Sequence, residues 1–151
     1  MSVNIDDIIV YSGKVENGTY KAKATDVSAF TSKGGTDFVK VTAEILEGPS
    51  EGMDHDWLYN LTGYPSKKGG TNYPGLSNLK RDLTNIGLLA KMPKQWPTDP
   101  KAMSTLLGKA LQGARFQVII KDGKENAQGK SYSETMLAPL PVREVEEDND
   151  D

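Results

Sequence analysis

The feature that most constrains the fold is a two-residue alternation of apolar and polar side chains in several short segments. It is clearest in residues 37–46, where the odd-numbered positions from 39 to 45 are occupied by Val39, Val41, Ala43 and Ile45. Because successive side chains of a strand point to opposite faces, this pattern predicts a β-strand with one buried face. Similar but weaker patterns lie between turns rich in glycine and proline. We predict five strands, at residues 19–27, 37–46, 53–61, 114–121 and 131–137.

The periodicity changes between the third and fourth predicted strands. Leu76, Leu79, Leu83 and Ile86 follow one another at offsets of three, four and three, which is typical of an amphipathic helix. Gly87 is well placed to end this helix. A second, shorter helix is predicted at residues 103–111, and residues 62–75 form a long glycine-containing loop before the first helix.

Five short strands joined by turns need an architecture that closes or covers the edges of the sheet. The OB-fold, a five-stranded and partly open barrel that binds oligonucleotides across its strands, provides one. At 151 residues the chain has the length of one domain. We therefore predict a mainly β protein: an OB-fold barrel at residues 1–142, with a helix between strands three and four, and a disordered acidic tail at 143–151.

The charge is divided unevenly along the chain. The net charge of −3 combines a tail of net −5 at residues 143–151 with a body of net +2. A segment this charged has little to bury, so we expect it to be disordered. It either folds back onto a basic groove in place of phosphate, or acts only as a solubilising end. The tail acids are Glu144, Glu146, Glu147, Asp148, Asp150 and Asp151.

Several functional classes find no support in the residues. The chain has no cysteine, and its single histidine, His55, lies between Asp54 and Asp56, which a strand would direct to the opposite face. This predicts no metal site, and we expect no cofactor. The segment at residues 66–71 lacks the spacing of a phosphate-binding loop, and no Gly-x-Ser-x-Gly motif is present. We expect a protein that is not an enzyme.

No apolar run has the length of a membrane span, and residues 1–10 lack the basic start of a secretory signal. We therefore expect a cytoplasmic protein without a membrane partner. The sequence does not specify an oligomeric state.

Basic and aromatic residues occur close together in the predicted strands and in the loop. Proteins that bind single-stranded nucleic acid use cations along the phosphates and aromatic rings on which bases stack. The candidate residues are Lys21, Lys23, Lys33, Phe38, Lys40, Trp57, Tyr59, Tyr64, Lys67, Lys68, Tyr73, Lys80 and Arg81.

Three of the aromatic candidates have alternative roles. Phe38 either stacks on a base or plugs one end of the barrel. Trp57 belongs either to the core or to a stacking platform, and the hydroxyl of Tyr59 would allow it to serve both. A β-bulge within strand three, which would switch its faces midway, is a further possibility for this pair.

The chain resembles bacteriophage single-stranded-DNA-binding proteins of OB type. The resemblance is carried by four short motifs: Gly-Thr-Tyr-Lys-Ala-Lys-Ala at 18–24, Ile-Leu-Glu-Gly at 45–48, Gly-Leu-Ser-Asn-Leu-Lys at 75–80, and the acidic segment at 144–151. Several such tails end in an aromatic residue, whereas this one ends in Asp150 and Asp151.

The resemblance implies binding of exposed single-stranded DNA, without sequence preference, during phage DNA replication, recombination or repair in the bacterial cytoplasm. It also implies a tail that contacts replication proteins of the phage or the host. The alternative hypothesis is a protein-interaction module, or an inhibitor whose acidic tail imitates DNA on a host enzyme.

Overall fold

The computed structural model describes residues 15–125 and 131–141. The strands are β1 (Gly18–Thr31), β2 (Asp37–Ile45), β3 (Asp54–Asn60), β4 (Tyr64–Pro65), β5 (Thr71–Asn72), β6 (Arg115–Glu125) and β7 (Ser131–Ala138). The helices are α1 (Pro74–Asn85) and α2 (Pro100–Leu111), with a 3₁₀ turn at Leu89–Lys91 between them. Neither helix is both long and apolar enough to cross a membrane, as far as residues 15–125 and 131–141 are concerned.

The five long strands form one antiparallel sheet in the order β3-β2-β1-β6-β7. The mainly β class is thus confirmed. In β2, the predicted apolar set of Val39, Val41, Ala43 and Ile45 is completely buried. Helix α2 packs on β1 and β2 and contributes Met103 and Leu107 to the same core. Its N-terminus begins earlier than predicted, because Pro100 starts the helix and the Asp99 carboxylate accepts a hydrogen bond from the Ala102 N–H at 2.8 Å.

A β-bulge occurs in β1, not in β3 as the sequence had suggested. The pairing of β1 with β2 shifts between Ala24 and Asp26, whereas β2 and β3 pair in unbroken register. Strand β3 alternates regularly, with His55, Trp57 and Tyr59 buried. The bulge reverses the faces of β1 after Ala24, and the strand pairs with β2 as far as Thr31, beyond the predicted end at residue 27.

The OB-fold barrel that we predicted is not confirmed, because the sheet is not closed. Strands β3 and β7 lie at opposite edges of the sheet, and no backbone ladder joins them within the described ranges. A side-chain hydrogen bond of 2.8 Å between His55 Nε2 and Thr135 Oγ1 links the two edge strands. Helix α1 contacts both of them and so covers part of the open seam.

Asp82 is the residue through which α1 connects the two edges. Its carboxylate is completely buried and accepts a 2.7 Å hydrogen bond from the Tyr59 hydroxyl on β3. The other carboxylate oxygen accepts from the Leu137 N–H on β7 at 3.2 Å and forms an ion pair with Arg81 at 3.1 Å. A buried carboxylate is tolerated only when it is paired and hydrogen-bonded in this way.

This environment makes alkaline stability depend on Tyr59. Burial, followed by the negative charge of Asp82 and the hydrogen bond to it, raises the pKa of Tyr59 well above 10.0. In the unfolded chain the phenol ionises near pH 10. The folded state therefore holds a proton that the unfolded state releases, and stability falls as the pH rises above about 10. We expect Tyr59→Phe to abolish the part of this pH dependence that comes from ionisation of Tyr59. The urea concentration at the unfolding midpoint should then fall less between pH 9 and 11 in the variant than in the wild type. Equal slopes in both proteins would contradict the assignment.

Gly75, in the first turn of α1, allows the helix to approach the end of β3. A Cβ at this position would overlap the backbone carbonyl of Asn60. Since neither backbone can move without displacing α1, we expect Gly75→Ala to destabilise the fold by about 2–3 kcal/mol. Gly34→Ala is the matched control, because its nearest neighbour would be Ser32 Oγ at 3.9 Å. Equal melting temperatures for Gly75→Ala and Gly34→Ala would show that the close approach of α1 to β3 does not matter for stability.

Candidate nucleic-acid interface

The outward face of β1, β2 and β3 carries exposed aromatic and aliphatic side chains at one end. Phe30 of β1 pairs with Phe38 of β2, and their ring centroids lie 6.0 Å apart at an angle of 44°. The adjacent row on the same face is formed by Lys40 and Leu58. Phe30 is 43% exposed, although a large apolar ring ordinarily gains free energy from burial.

Tyr64 extends this surface onto the small β4–β5 hairpin. Its hydroxyl accepts a 3.2 Å hydrogen bond from Asn60 Nδ2, and Asn60 lies opposite Phe38 in the β2–β3 ladder. We call the set Phe30, Phe38, Lys40, Leu58 and Tyr64 the tip face. Four large apolar side chains are exposed in the described part of the chain, and the tip face contains three of them.

Two turns place further lysines on either side of the tip face. Lys33 is exposed in the turn between β1 and β2, which is held by the Gly35 N–H donating to the Ser32 carbonyl at 2.9 Å. Lys67 and Lys68 are exposed in the turn of the β4–β5 hairpin. The structure thus places Lys33 and Lys40 at the end of the sheet that carries the aromatic rings, and Lys67 and Lys68 in the turn of the hairpin that begins at Tyr64.

Lys21 and Lys23 lie on the same outer face but in a mixed-charge environment towards its other end. Lys23 pairs across strands with Glu44 on one side and Arg115 on the other. The row between this end and the tip face contains Asp26 and Asp56, and the Asp56 carboxylate accepts a 2.7 Å hydrogen bond from Thr42. Because these acids repel phosphate, the structure does not unite Lys21 and Lys23 with the tip face.

Trp57 and Tyr59 are not part of the outer face. They are 7% and 4% exposed and belong to the core, so the core alternative for Trp57 is the correct one and the stacking role for both is wrong. The Trp57 ring stacks on His55, with ring centroids 5.7 Å apart, and lies perpendicular to Phe116 at 6.4 Å. These core contacts hold the ring away from the outer face that carries Phe30 and Phe38.

The two basic candidates on α1 have different environments. Arg81 is 41% exposed and donates from Nε and Nη2 to the buried Asp82 carboxylate, at 3.2 and 3.1 Å, so part of its charge is compensated by that pair. Arg81 is not among the residues of the tip face. Lys80 is exposed and, together with Tyr73, lines a separate cavity beside the hairpin.

Sequence reasoning missed Phe30 and Leu58. Phe30 lies beyond the predicted end of strand one, and the bulge hides the alternation that would have placed it opposite Phe38. Leu58 stands among Asp54, Asp56 and Asn60, and this polar set was the available signal that its face is exposed.

The acidic tail candidates, Glu144, Glu146, Glu147, Asp148, Asp150 and Asp151, lie outside the described residues. Across residues 15–125 and 131–141, no cluster of three or more histidine, aspartate and glutamate side chains is placed to hold a metal ion.

Comparison of the chain with protein-family models and with curated proteins gives no match.

Proposed function

We propose that the protein binds single-stranded DNA without sequence preference, and that the strand lies across the tip face. The observation that carries the proposal is the contact between the exposed Phe30 ring and the half-buried Phe38 ring, beside Lys40, at the end of the sheet where the lysine-bearing β1–β2 turn lies. By resemblance, the DNA would be an intermediate of phage replication, recombination or repair.

The chemistry of the tip face suits an unpaired strand better than a duplex. Every base has a flat face that can stack on Phe30, Phe38 or Tyr64, whatever its identity, and this explains binding without sequence preference. In a duplex these faces are already stacked on neighbouring bases. Lysines on both sides of the rings supply the charge that follows the phosphates.

The strand order supports an OB-type interpretation of the sheet. In OB-folds, the face of strands two and three and the loops between strands one and two, and four and five, contact oligonucleotides. Here the corresponding elements are β2 and β3 with Phe38, Lys40 and Leu58, and the β1–β2 turn with Lys33. On an OB-type interpretation, the tip face corresponds to the surface that binds ligands in this fold class.

The acidic tail completes the proposal. A segment of net −5 attached to a body of net +2 competes with phosphate for the same lysines, and it offers replication proteins of the phage or host a charged contact. On this proposal, the charge of the tail weakens the binding of short single strands by competition.

The test is a titration of the full-length protein against a fluorescein-labelled single strand of mixed sequence and against the same sequence as a duplex. We expect strong preference for the single strand and a logarithmic salt dependence of about −0.7 for each phosphate neutralised. Equal affinity for the duplex, or affinity that does not change with salt, would contradict the proposal. Absence of DNA binding would favour the protein-interaction alternative.

The hairpin lysines make a separable electrostatic contribution. Replacing Lys67 and Lys68 together by alanine should weaken single-strand binding and reduce the salt slope by about 1.4, if each contacts one phosphate. The melting temperature should change little, since both side chains are exposed. The matched control is Lys101→Ala with Lys109→Ala, which removes the same charge from the exposed face of α2. If the salt dependence of DNA binding decreases equally in both double variants, the decrease reflects net charge and not a contact of the hairpin with DNA.

A further inference from the structure

A second cavity lies beside the β4–β5 hairpin, outside the tip face. Its volume is about 620 Å³, and its walls come from the start of α1, from β5 and from the segment after the 3₁₀ turn. Small-molecule sites in proteins commonly have volumes of about 300–1,000 Å³. The cavity is therefore large enough for one nucleotide.

The lining combines apolar, aromatic and basic side chains. Tyr73 and Trp96 supply rings, Leu76 and Met92 supply apolar surface, and Lys80 and Lys94 supply positive charge. No aspartate or glutamate is among the lining residues. A cavity with rings and two uncompensated cations is complementary to a base that carries a phosphate.

A hydrogen bond positions the Trp96 ring, and a close approach to the backbone positions the Tyr73 ring. The Trp96 indole N–H donates a 2.8 Å hydrogen bond to the Pro93 carbonyl, which holds the half-buried ring against the loop. The Tyr73 ring passes so close to Gly63 that a Cβ there would lie 2.7 Å from the ring. Rings already held in position lose little conformational entropy when a base binds.

The hairpin lies between this cavity and the tip face. Tyr64 of β4 pairs with Asn72 of β5, so the strand that carries a tip-face residue is hydrogen-bonded to the strand that lines the cavity. The exposed Lys67 and Lys68 occupy the turn that joins the two strands. A nucleic-acid strand that crosses the hairpin near its turn meets the positive charge of these two lysines.

We propose that the cavity is a second nucleotide site, which receives one base of the same single strand that occupies the tip face. The base packs against Trp96 and Tyr73, and its phosphate contacts Lys80 and Lys94. This inference rests on the proposed function, and it gives the protein a binding site longer than the sheet alone provides.

Tryptophan fluorescence of the full-length protein tests the proposal. The chain has two tryptophans, and the other one, Trp57, is buried in the core. In Trp57→Phe, all tryptophan emission comes from Trp96, and we expect oligo(dT) to quench it. In Trp96→Phe, which keeps Trp57 and tests the same point if the first variant folds poorly, we expect the quenching to disappear.

Replacement of the two cavity lysines, Lys80 and Lys94, provides a second test of the proposal. Because the two lysines contact the phosphate of the bound nucleotide, loss of both should weaken binding of a long oligo(dT) by about tenfold at low salt. We expect this loss in Lys80→Ala with Lys94→Ala, and not in the α2 control that lacks Lys101 and Lys109. Binding of a short oligo(dT), which the tip face accommodates alone, should change much less.

The outcomes separate this inference from the proposed function. If oligo(dT) binds but Trp96 emission stays constant and the two lysine variants behave alike, the second site is wrong and the tip face stands. If a synthetic peptide of residues 142–151 quenches Trp96 and oligo(dT) does not, the cavity binds acidic peptide and the nucleotide assignment is overturned. If the protein binds no single-stranded DNA, both proposals fail.

Discussion

Replacing Phe30 and Phe38 together by alanine is expected to weaken binding of single-stranded DNA by at least about 30-fold. Each stacked base contributes about 1–3 kcal/mol by alanine substitution, and two lost platforms remove about 2 kcal/mol at the lower end of that range. The measurement is the dissociation constant from fluorescence anisotropy with a labelled oligo(dT). No other pair in the described residues combines two exposed or half-buried phenylalanine rings in contact.

A leucine pair separates stacking from general apolar contact. Phe30→Leu with Phe38→Leu keeps a cross-strand apolar contact between β1 and β2 but removes both rings. Such contacts contribute only about 0.2–1 kcal/mol, so the melting temperature should stay near that of the wild type. We expect affinity to fall nearly as far as in the alanine pair. If the leucine pair binds DNA like the wild type, the rings do not act as stacking platforms.

Replacing Asp82 by alanine is expected to destabilise the fold by about 2–6 kcal/mol, because two buried donors lose their acceptor and each unsatisfied donor costs about 1–3 kcal/mol. The Tyr59 hydroxyl and the Leu137 N–H would lose their acceptor, and Arg81 would lose its counter-charge. This is a large fraction of the roughly 5–15 kcal/mol that stabilises a typical domain. Urea unfolding monitored by circular dichroism gives the value.

The control for this variant is Asp54→Ala, which removes an exposed carboxylate from the outer face of β3. The free energy of unfolding of Asp82→Asn should lie between those of Asp82→Ala and Asp54→Ala. The amide oxygen can still accept from the Leu137 N–H, while the negative charge is lost. If Asp82→Ala is as stable as Asp54→Ala, α1 does not hold the edges β3 and β7 through this carboxylate.

The sequence predicted those elements whose periodicity is uninterrupted. Strand β2 and the leucine stripe of α1 lie where predicted because the apolar residues of each recur without a break, every second residue in β2 and every third or fourth in α1. The end of β1 was missed because the bulge between Ala24 and Asp26 reverses the phase of the pattern, and a period cannot be followed through a phase shift. The β4–β5 hairpin was missed because two-residue strands are too short to show a period.

The candidate site was less predictable than the fold because it depends on pairing between strands. Phe38 was identified from its own parity, but its partner Phe30 depends on the register of a bulged strand. The burial of Trp57 and Tyr59 depends on packing against Phe116 and Asp82, which are distant in sequence. Likewise, nothing in the spacing of Asp82 among leucines indicates that a buried tyrosine and a strand N–H share its carboxylate.

The most direct test of the central claim is to locate the DNA on the protein. The full-length protein would be irradiated with single-stranded DNA containing bromodeoxyuridine, and the cross-linked residues identified by mass spectrometry. We predict cross-links to the rings of the tip face, namely Phe30, Phe38 and Tyr64, and none to α2. Cross-links concentrated on α2 with none on the tip face would contradict the account.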